Sequence, residues 1–330
     1  MKLYDDQLIV VTGGAGFIGS GIVRYLNDRG LNNIVIVDDL GTDEKWKNLV
    51  NKRFVDIISI CDLFDWLDGK ESAIEAFIHL GACSDTMEMD ADYLLDNNYR
   101  YSVSLAEYAI KNNQRFIYAS SAATYGNGSR GFNDNDNEKD IYQLEPLNMY
   151  GFSKQLFDQW VVSQGVLNKV VGLKYFNVFG PNEAHKGNMA SVITKMVPRI
   201  QNGEPVQLFK STNPKSFGDG EQKRDFLYVK DAVRMTCAFL ENDAIGIFNI
   251  GSGVPSTWNE LTKAVYKALG KDPKIQYIDM PDNLIGKYQN YSMAEMTKTK
   301  KAIGEVATST SLEDAVADYV CNYLIPDKKW

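Results

Sequence analysis

Short apolar runs alternate with amphipathic stretches through the first half of the chain. Leu8 to Val11, Ile34 to Val37, Ala76 to Leu80, Phe116 to Ser120 and Val170 to Lys174 are apolar enough to be strands covered on both faces, and Arg53 to Asp56 reads as a shorter one. Between them, Phe17 to Asp28, Ala91 to Asn112 and Asn148 to Gln164 repeat apolar residues every three or four positions, the period of a helix packed on a sheet. Strand and helix in turn predict an α/β fold. In a doubly wound, mostly parallel sheet of that kind, ligands bind outside the carboxyl ends of the strands. Asn127 to Asp140, rich in Asn, Asp and Gly, predicts a surface loop.

Beyond Val170 the elements become shorter. Tyr175 to Pro181 breaks the pattern, Asn182 to Asn188 is a polar loop, and Met189 to Gln201 is helical. Val206 to Phe209 is extended, Phe217 to Gln222 is a turn, and Lys230 to Glu241, Thr257 to Leu269 and Leu312 to Leu324 are helices, with a late strand from Gly246 to Gly251. No linker rich in Pro, Gly or Ser separates the halves, which predicts two lobes woven around one cleft. Residues 1–175, with returns near 225–254 and 289–305, form the larger lobe; 176–224, 255–288 and the closing helix form a smaller α/β substrate domain.

The first strand runs into Thr12-Gly13-Gly14-Ala15-Gly16-Phe17-Ile18-Gly19. Gly13, Gly16 and Gly19 fall where a turn needs unusual φ, a pyrophosphate needs bare backbone and a helix must lie close on a sheet. The amides of Phe17 and Ile18 open that helix, where an anion is welcome. Asp38 ends the second strand about twenty residues on, suited to a ribose hydroxyl. A strand before, a helix after, a second strand and its terminal acid together predict a dinucleotide site. Lys45, just beyond, is either solvated or in reach of a 2′-phosphate.

Composition narrows the partners. A net charge of −8 and a pI near 5.0 argue against nucleic acid or an anionic membrane surface. No apolar run reaches membrane-spanning length, and the few residues before the first strand leave no room for a signal peptide. Cys61, Cys83, Cys237 and Cys321 are scattered, with only two histidines beside them, so neither a metal site nor a disulfide framework is expected, and the cytoplasm is the expected compartment. His79 and Cys83, among apolar neighbours, read as packed core groups.

Tyr150 and Lys154 lie one turn apart on a predicted helix, hence on one face. A nearby ammonium favours the phenolate, making the tyrosine a usable base, and the lysine can also hold a nicotinamide ribose. Ser121, at the end of the fifth strand, can share a hydrogen bond with a substrate hydroxyl beside that phenol. With the glycine loop, the three predict oxidoreductase chemistry.

The glycine motif, Ser120 to Gly126, Tyr150 to Lys154, Tyr175 to Pro181 and Lys223 to Phe226 are similar to the extended short-chain dehydrogenase/reductase family over essentially the whole chain. The resemblance implies a Rossmann sheet and chemistry on nucleotide-activated sugars. It is strongest to the branch that epimerises ADP-heptose at carbon 6 for lipopolysaccharide core biosynthesis, on the segments Gly81 to Ser84, Asp96 to Tyr99, His185 to Val192 and Lys287 to Gln289.

That resemblance implies Tyr150 and Lys186 as two proton-handling groups on opposite faces of the sugar, with Ser121 and Lys154 supporting the first. It implies cofactor contacts at Gly13, Gly16, Phe17, Ile18, Gly19, Asp38, Asp39, Lys45, Leu80, Gly81, Ala82, Ser84, Asn97, Lys154 and Val178. Substrate contacts are implied at Asn177, Asn188, Lys195, Phe209, Arg224 and Tyr288, with Arg224 on the diphosphate. NADP is favoured narrowly over NAD, for Lys45 and for the family resembled; Asp39 and Ile60 depart from the family pattern and weaken that preference. A homo-oligomer is also implied.

Three rivals share parts of the pattern. A UDP-hexose 4-epimerase has the glycine loop, Ser121, Tyr150 and Lys154 but no need of Lys186. A sugar-nucleotide dehydratase calls for an acidic pair where Ala122 and Ala123 stand. A cofactor-binding regulator without turnover has no use for Tyr150 and Lys154.

Overall fold

A computed structural model describes residues 7–282 and 288–330. Lys287, one of the residues that carry the family likeness, lies outside the described residues. Seven parallel strands form the central sheet: β1 (Leu8–Thr12), β2 (Ile34–Val37), β3 (Asp56–Ile58), β4 (Ile74–His79), β5 (Arg115–Ser121), β6 (Val170–Tyr175) and, later in the chain, β10 (Gly246–Ile250). Their order is β10-β6-β5-β4-β1-β2-β3. Alternation along the strands sends Ile9, Val11, Ile34 and Ile36 into one core, and Val10, Val35, Val37 and Phe77 into the other. Both faces are therefore covered, which is why these strands read as unbroken apolar runs. The order reverses at β1, flanked by β2 and β4, so the carboxyl ends of β1, β2 and β4 open one crevice.

Two small sheets lie in the second half: β7 (Asn177–Phe179), β9 (Lys223–Tyr228) and β11 (Pro255–Thr257) form one, β8 (Val206–Phe209) and β12 (Ile275–Ile278) the other. The segment Tyr175 to Pro181, read as a breaker, contains β7, because its backbone pairs in parallel with β9. The edge strand β3 begins at Asp56 rather than Arg53. Val35 pairs with Asp56, whereas the Arg53 amide is drawn into a turn by the Asn27 side chain at 2.8 Å.

The stretch 127–140 is not simply a surface loop. Phe132 and Asp134 are buried, with Asp134 accepting the Asn249 amide at 2.9 Å, and a helix starts at Glu138 (Glu138–Tyr142). Polar side chains that looked solvent-bound instead satisfy the backbone of β10. The long predicted helix from Ala91 carries a π turn over Leu95–Arg100 before continuing as Tyr101–Lys111. No described helix is long and apolar enough to cross a membrane.

Candidate active site

The glycine loop is closed too tightly for any other residue. Gly13 has φ +68°, and a side-chain carbon there would stand 2.8 Å from the Gly81 nitrogen; one on Gly19 would stand 2.1 Å from the Gly13 carbonyl oxygen. Gly16 donates its amide to the Gly13 carbonyl at 3.0 Å and caps the first helix (Phe17–Asp28) with no side-chain acceptor. The first-turn amides, including those of Phe17 and Ile18, stay available to an anion. This cradle fits the pyrophosphate of a dinucleotide.

Thr12 joins the loop to the end of β4: its Oγ1 accepts the Gly81 amide at 3.0 Å and bonds His79 Nδ1 at 2.7 Å. His79 completes its bonding through Nε2 to the Ser102 hydroxyl at 2.8 Å, and burial pushes it down to about 3. It is the neutral core histidine expected. Leu80, Gly81 and Ala82 are half-buried at the rim of the crevice and Ser84 is exposed beyond them. Asn97 donates to Asn98, at 3.1 Å, within the π turn.

At the end of β2 the acid and the lysine meet each other. Asp38 accepts the Ala15 amide on one oxygen at 2.9 Å and Lys45 Nζ on the other at 2.8 Å. Asp39 is exposed; its Oδ1 accepts the Ser59 hydroxyl at 2.9 Å and the Ile60 amide at 3.1 Å.

Tyr150, Lys154 and Asp158 form a stripe down one face of the helix Met149–Ser163, whose start is fixed by Asn148 accepting the Gly151 amide at 2.8 Å. Burial pushes the Tyr150 phenol up, and its hydrogen bond with Ser121 works against that shift. Burial is thus the largest influence on this phenol. Lys154 donates to the Ala119 carbonyl at 3.0 Å; burial lowers it to about 8 while Asp158 acts to raise it. Ser121 is 9% exposed, with its Oγ accepting the Ala123 amide at 3.1 Å. Tyr150, Ser121 and Lys154 thus converge at the carboxyl end of β5.

Lys186 lies on a short 3-10 segment (Ala184–Met189) broken at Gly187. Its ammonium lies 5.7 Å from the Phe17 ring centroid, against the first turn of the glycine-loop helix. Burial lowers its proton affinity and Glu183 raises it. Asn188 and Lys195 are exposed nearby, with Lys195 Nζ 3.5 Å from the Asn188 carbonyl.

Arg224, Tyr288 and Phe209 gather around a third point. The Arg224 guanidinium is buried, 4.8 Å from the Tyr288 ring centroid and 5.8 Å from that of Trp258, and Tyr288 meets Phe209 edge-on at 6.3 Å. Burial pushes Arg224 down, with Tyr288 acting against the shift. On β7, Asn177 is exposed and Val178 half-buried.

Several residues that hold these elements together were not singled out from the sequence. Asn48 donates to the Ala15 carbonyl at 3.1 Å and the Asn182 carbonyl at 3.2 Å. Asn98 clamps Cys83 through both its amide and its carbonyl at 2.9 Å and reaches the Ser153 hydroxyl at 3.0 Å. Beneath the tyrosine helix, fully buried Asp158 accepts Tyr118 at 2.9 Å, Ser120 at 2.7 Å and Lys174 at 2.5 Å. Trp258 came without any motif.

The NAD dependent epimerase/dehydratase family matches residues 9–251. The chain is 49% identical over 320 residues to an ADP-L-glycero-D-manno-heptose-6-epimerase of Nitratidesulfovibrio vulgaris, covering 96% of this chain and 98% of that one. Among solved structures, the ADP-L-glycero-D-manno-heptose-6-epimerase of Helicobacter pylori superposes with a TM-score of 0.78 at 27% identity, over 96% of each chain. UDP-glucose 4-epimerase of Thermotoga maritima, with UDP-glucose, gives the same TM-score and identity over 98% of this chain and 100% of that one. Backbone shape alone does not separate these two relatives.

Proposed function

Because the chain belongs to the NAD dependent epimerase/dehydratase family, we propose that it inverts carbon 6 of ADP-D-glycero-D-manno-heptose to give ADP-L-glycero-D-manno-heptose, a step of lipopolysaccharide core assembly. A carbinol hydrogen is not acidic, so inversion proceeds by oxidation to the ketone, presentation of its other face and return of the hydride. A nicotinamide dinucleotide, which the glycine loop and the ends of β1, β2 and β4 would hold, would supply the hydride acceptor and donor. The chain's own groups then manage protons and position.

As the phenolate, which the Lys154 ammonium and a nicotinamide cation would favour against the burial that pushes this phenol up, Tyr150 takes the proton of the 6-hydroxyl on one face, with Ser121 holding that hydroxyl and Lys154 placed to hold the nicotinamide ribose. Lys186 handles the proton on the opposite face; its burial keeps it closer to neutrality than a surface lysine, as proton transfer requires. Arg224 binds the diphosphate, for which a planar fork of donors is suited. Tyr288, Phe209, Asn177, Asn188 and Lys195 line the ADP-sugar around it.

One observation carries the reading over a 4-epimerase. The segment bearing Lys186 is tied through Asn182 and Asn48 to Ala15 of the glycine loop, which supports a second proton-handling group on the cofactor side of the site. A one-base enzyme has no use for it. Incubation of purified protein with ADP-D-glycero-D-manno-heptose and, separately, UDP-galactose, followed by NMR, tests the assignment. Inversion at carbon 6 of the ADP-heptose is expected; turnover of UDP-galactose alone overturns it in favour of 4-epimerisation.

A further inference from the structure

The ten residues from the end of β2 hold four carboxylates, Asp38, Asp39, Asp43 and Glu44, against two lysines, Lys45 and Lys47. Both lysines are committed within the segment: Lys45 to Asp38 at 2.8 Å, Lys47 to Glu44. In a sheet wound this way the adenosine ribose of a dinucleotide lies at the end of the second strand, and a 2′-phosphate there needs a free cation. Lys45 is not one. Drawing it away would strip its charge partner from Asp38, whose side chain is only 5% exposed.

Asp39 decides the balance. Its carboxylate is exposed yet fixed, since one oxygen is held by the Ser59 hydroxyl and the Ile60 amide on the neighbouring strand end. Ile60 supplies no charge to offset it. We infer that Asp39 makes this chain select NAD over NADP, by presenting a fixed negative charge where the 2′-phosphate would lie. The inference rests on the dinucleotide site proposed above and reverses the narrow preference for NADP that Lys45 suggested. A ribose hydroxyl can donate to a carboxylate, whereas a phosphate carrying nearly two negative charges can only be repelled by it.

Direct binding tests this without sugar turnover. The dinucleotide that copurifies is identified by mass spectrometry after denaturation, and protein freed of it is titrated with NAD+ and NADP+ by calorimetry. NAD+ is expected to copurify and to bind at least about tenfold more tightly. Asp39→Asn keeps an acceptor for Ser59 and Ile60 but removes the charge; it should narrow that ratio at least about fivefold, mainly through tighter NADP+ binding. Asp39→Asn with Ile60→Lys should narrow it further. Equal or tighter binding of NADP+ by the unaltered protein, or a ratio indifferent to Asp39→Asn, overturns the inference and leaves the epimerase reading intact. Failure to bind either dinucleotide overturns both.

Discussion

The Asn48 side-chain amide donates to the Asn182 carbonyl at 3.2 Å, and the same nitrogen reaches the Ala15 carbonyl at 3.1 Å. Three segments far apart in the chain meet at that atom: the glycine loop, the stretch after β2 and the approach to Lys186. Asn182 extends the connection, donating to the Ser20 hydroxyl of the first helix at 3.0 Å. Cofactor loop and lysine segment are therefore bonded into one piece.

Asn48→Ala should loosen that piece. Two buried carbonyls lose a donor, a cost of about 1–3 kcal/mol in stability. The expected kinetic signature is a fall in kcat of about tenfold with KM for the sugar nucleotide little changed, because Lys186 is misplaced while the Arg224 cluster is untouched. Steady-state kinetics together with denaturant unfolding check both parts.

The buried pair Lys174 and Asp158 ties the tyrosine helix to β5 and β6. Lys174 also donates to Thr124 at 2.7 Å, and Thr124 donates to the Ser121 carbonyl at 2.8 Å. Lys174→Met alone leaves an uncompensated buried carboxylate and should cost about 3–5 kcal/mol. Lys174→Met with Asp158→Leu should recover much of that stability. Chemical denaturation of the three proteins measures the difference.

Cofactor affinity should depend on pH through Lys154. Burial lowers this lysine from 10.5 to about 8, so its ammonium is present below about 8 and lost above it. Binding that uses the charge on a ribose weakens as pH rises through that value. Stability moves the other way: the unfolded chain keeps the proton up to about 10.5, so between about 8 and 10.5 the unfolded state binds more protons and folding gains with pH. Dinucleotide titrations from neutral to alkaline pH should show the weakening, and Lys154→Met should abolish it.

What the sequence made legible follows from how local its physics is. The doubly wound parallel sheet, the turn at the glycine motif and the placing of Tyr150 and Lys154 on one helix face rest on periodicity and near-neighbour chemistry and stand where expected, apart from the edge strand β3, which starts at Asp56. The strands β7, β11 and β12 are short and pair with partners distant in the chain, so no run of residues announced them. Asn48, Asn98 and Asp158 escaped for the same reason: an asparagine or aspartate is ordinary until its partners are known. Lys45 shows the converse. Its position suggested a phosphate contact, but its side chain is paired with Asp38, and only the folded chain reveals that.

The account turns on Lys186 acting opposite Tyr150. The most direct measurement follows the configuration at carbon 6 of ADP-D-glycero-D-manno-heptose by NMR with the unaltered protein, Tyr150→Phe and Lys186→Met, each first shown to be folded and to bind dinucleotide. Inversion by the unaltered protein, slowed at least about a hundredfold by either substitution, is the predicted result. Near-normal inversion by Lys186→Met would contradict it.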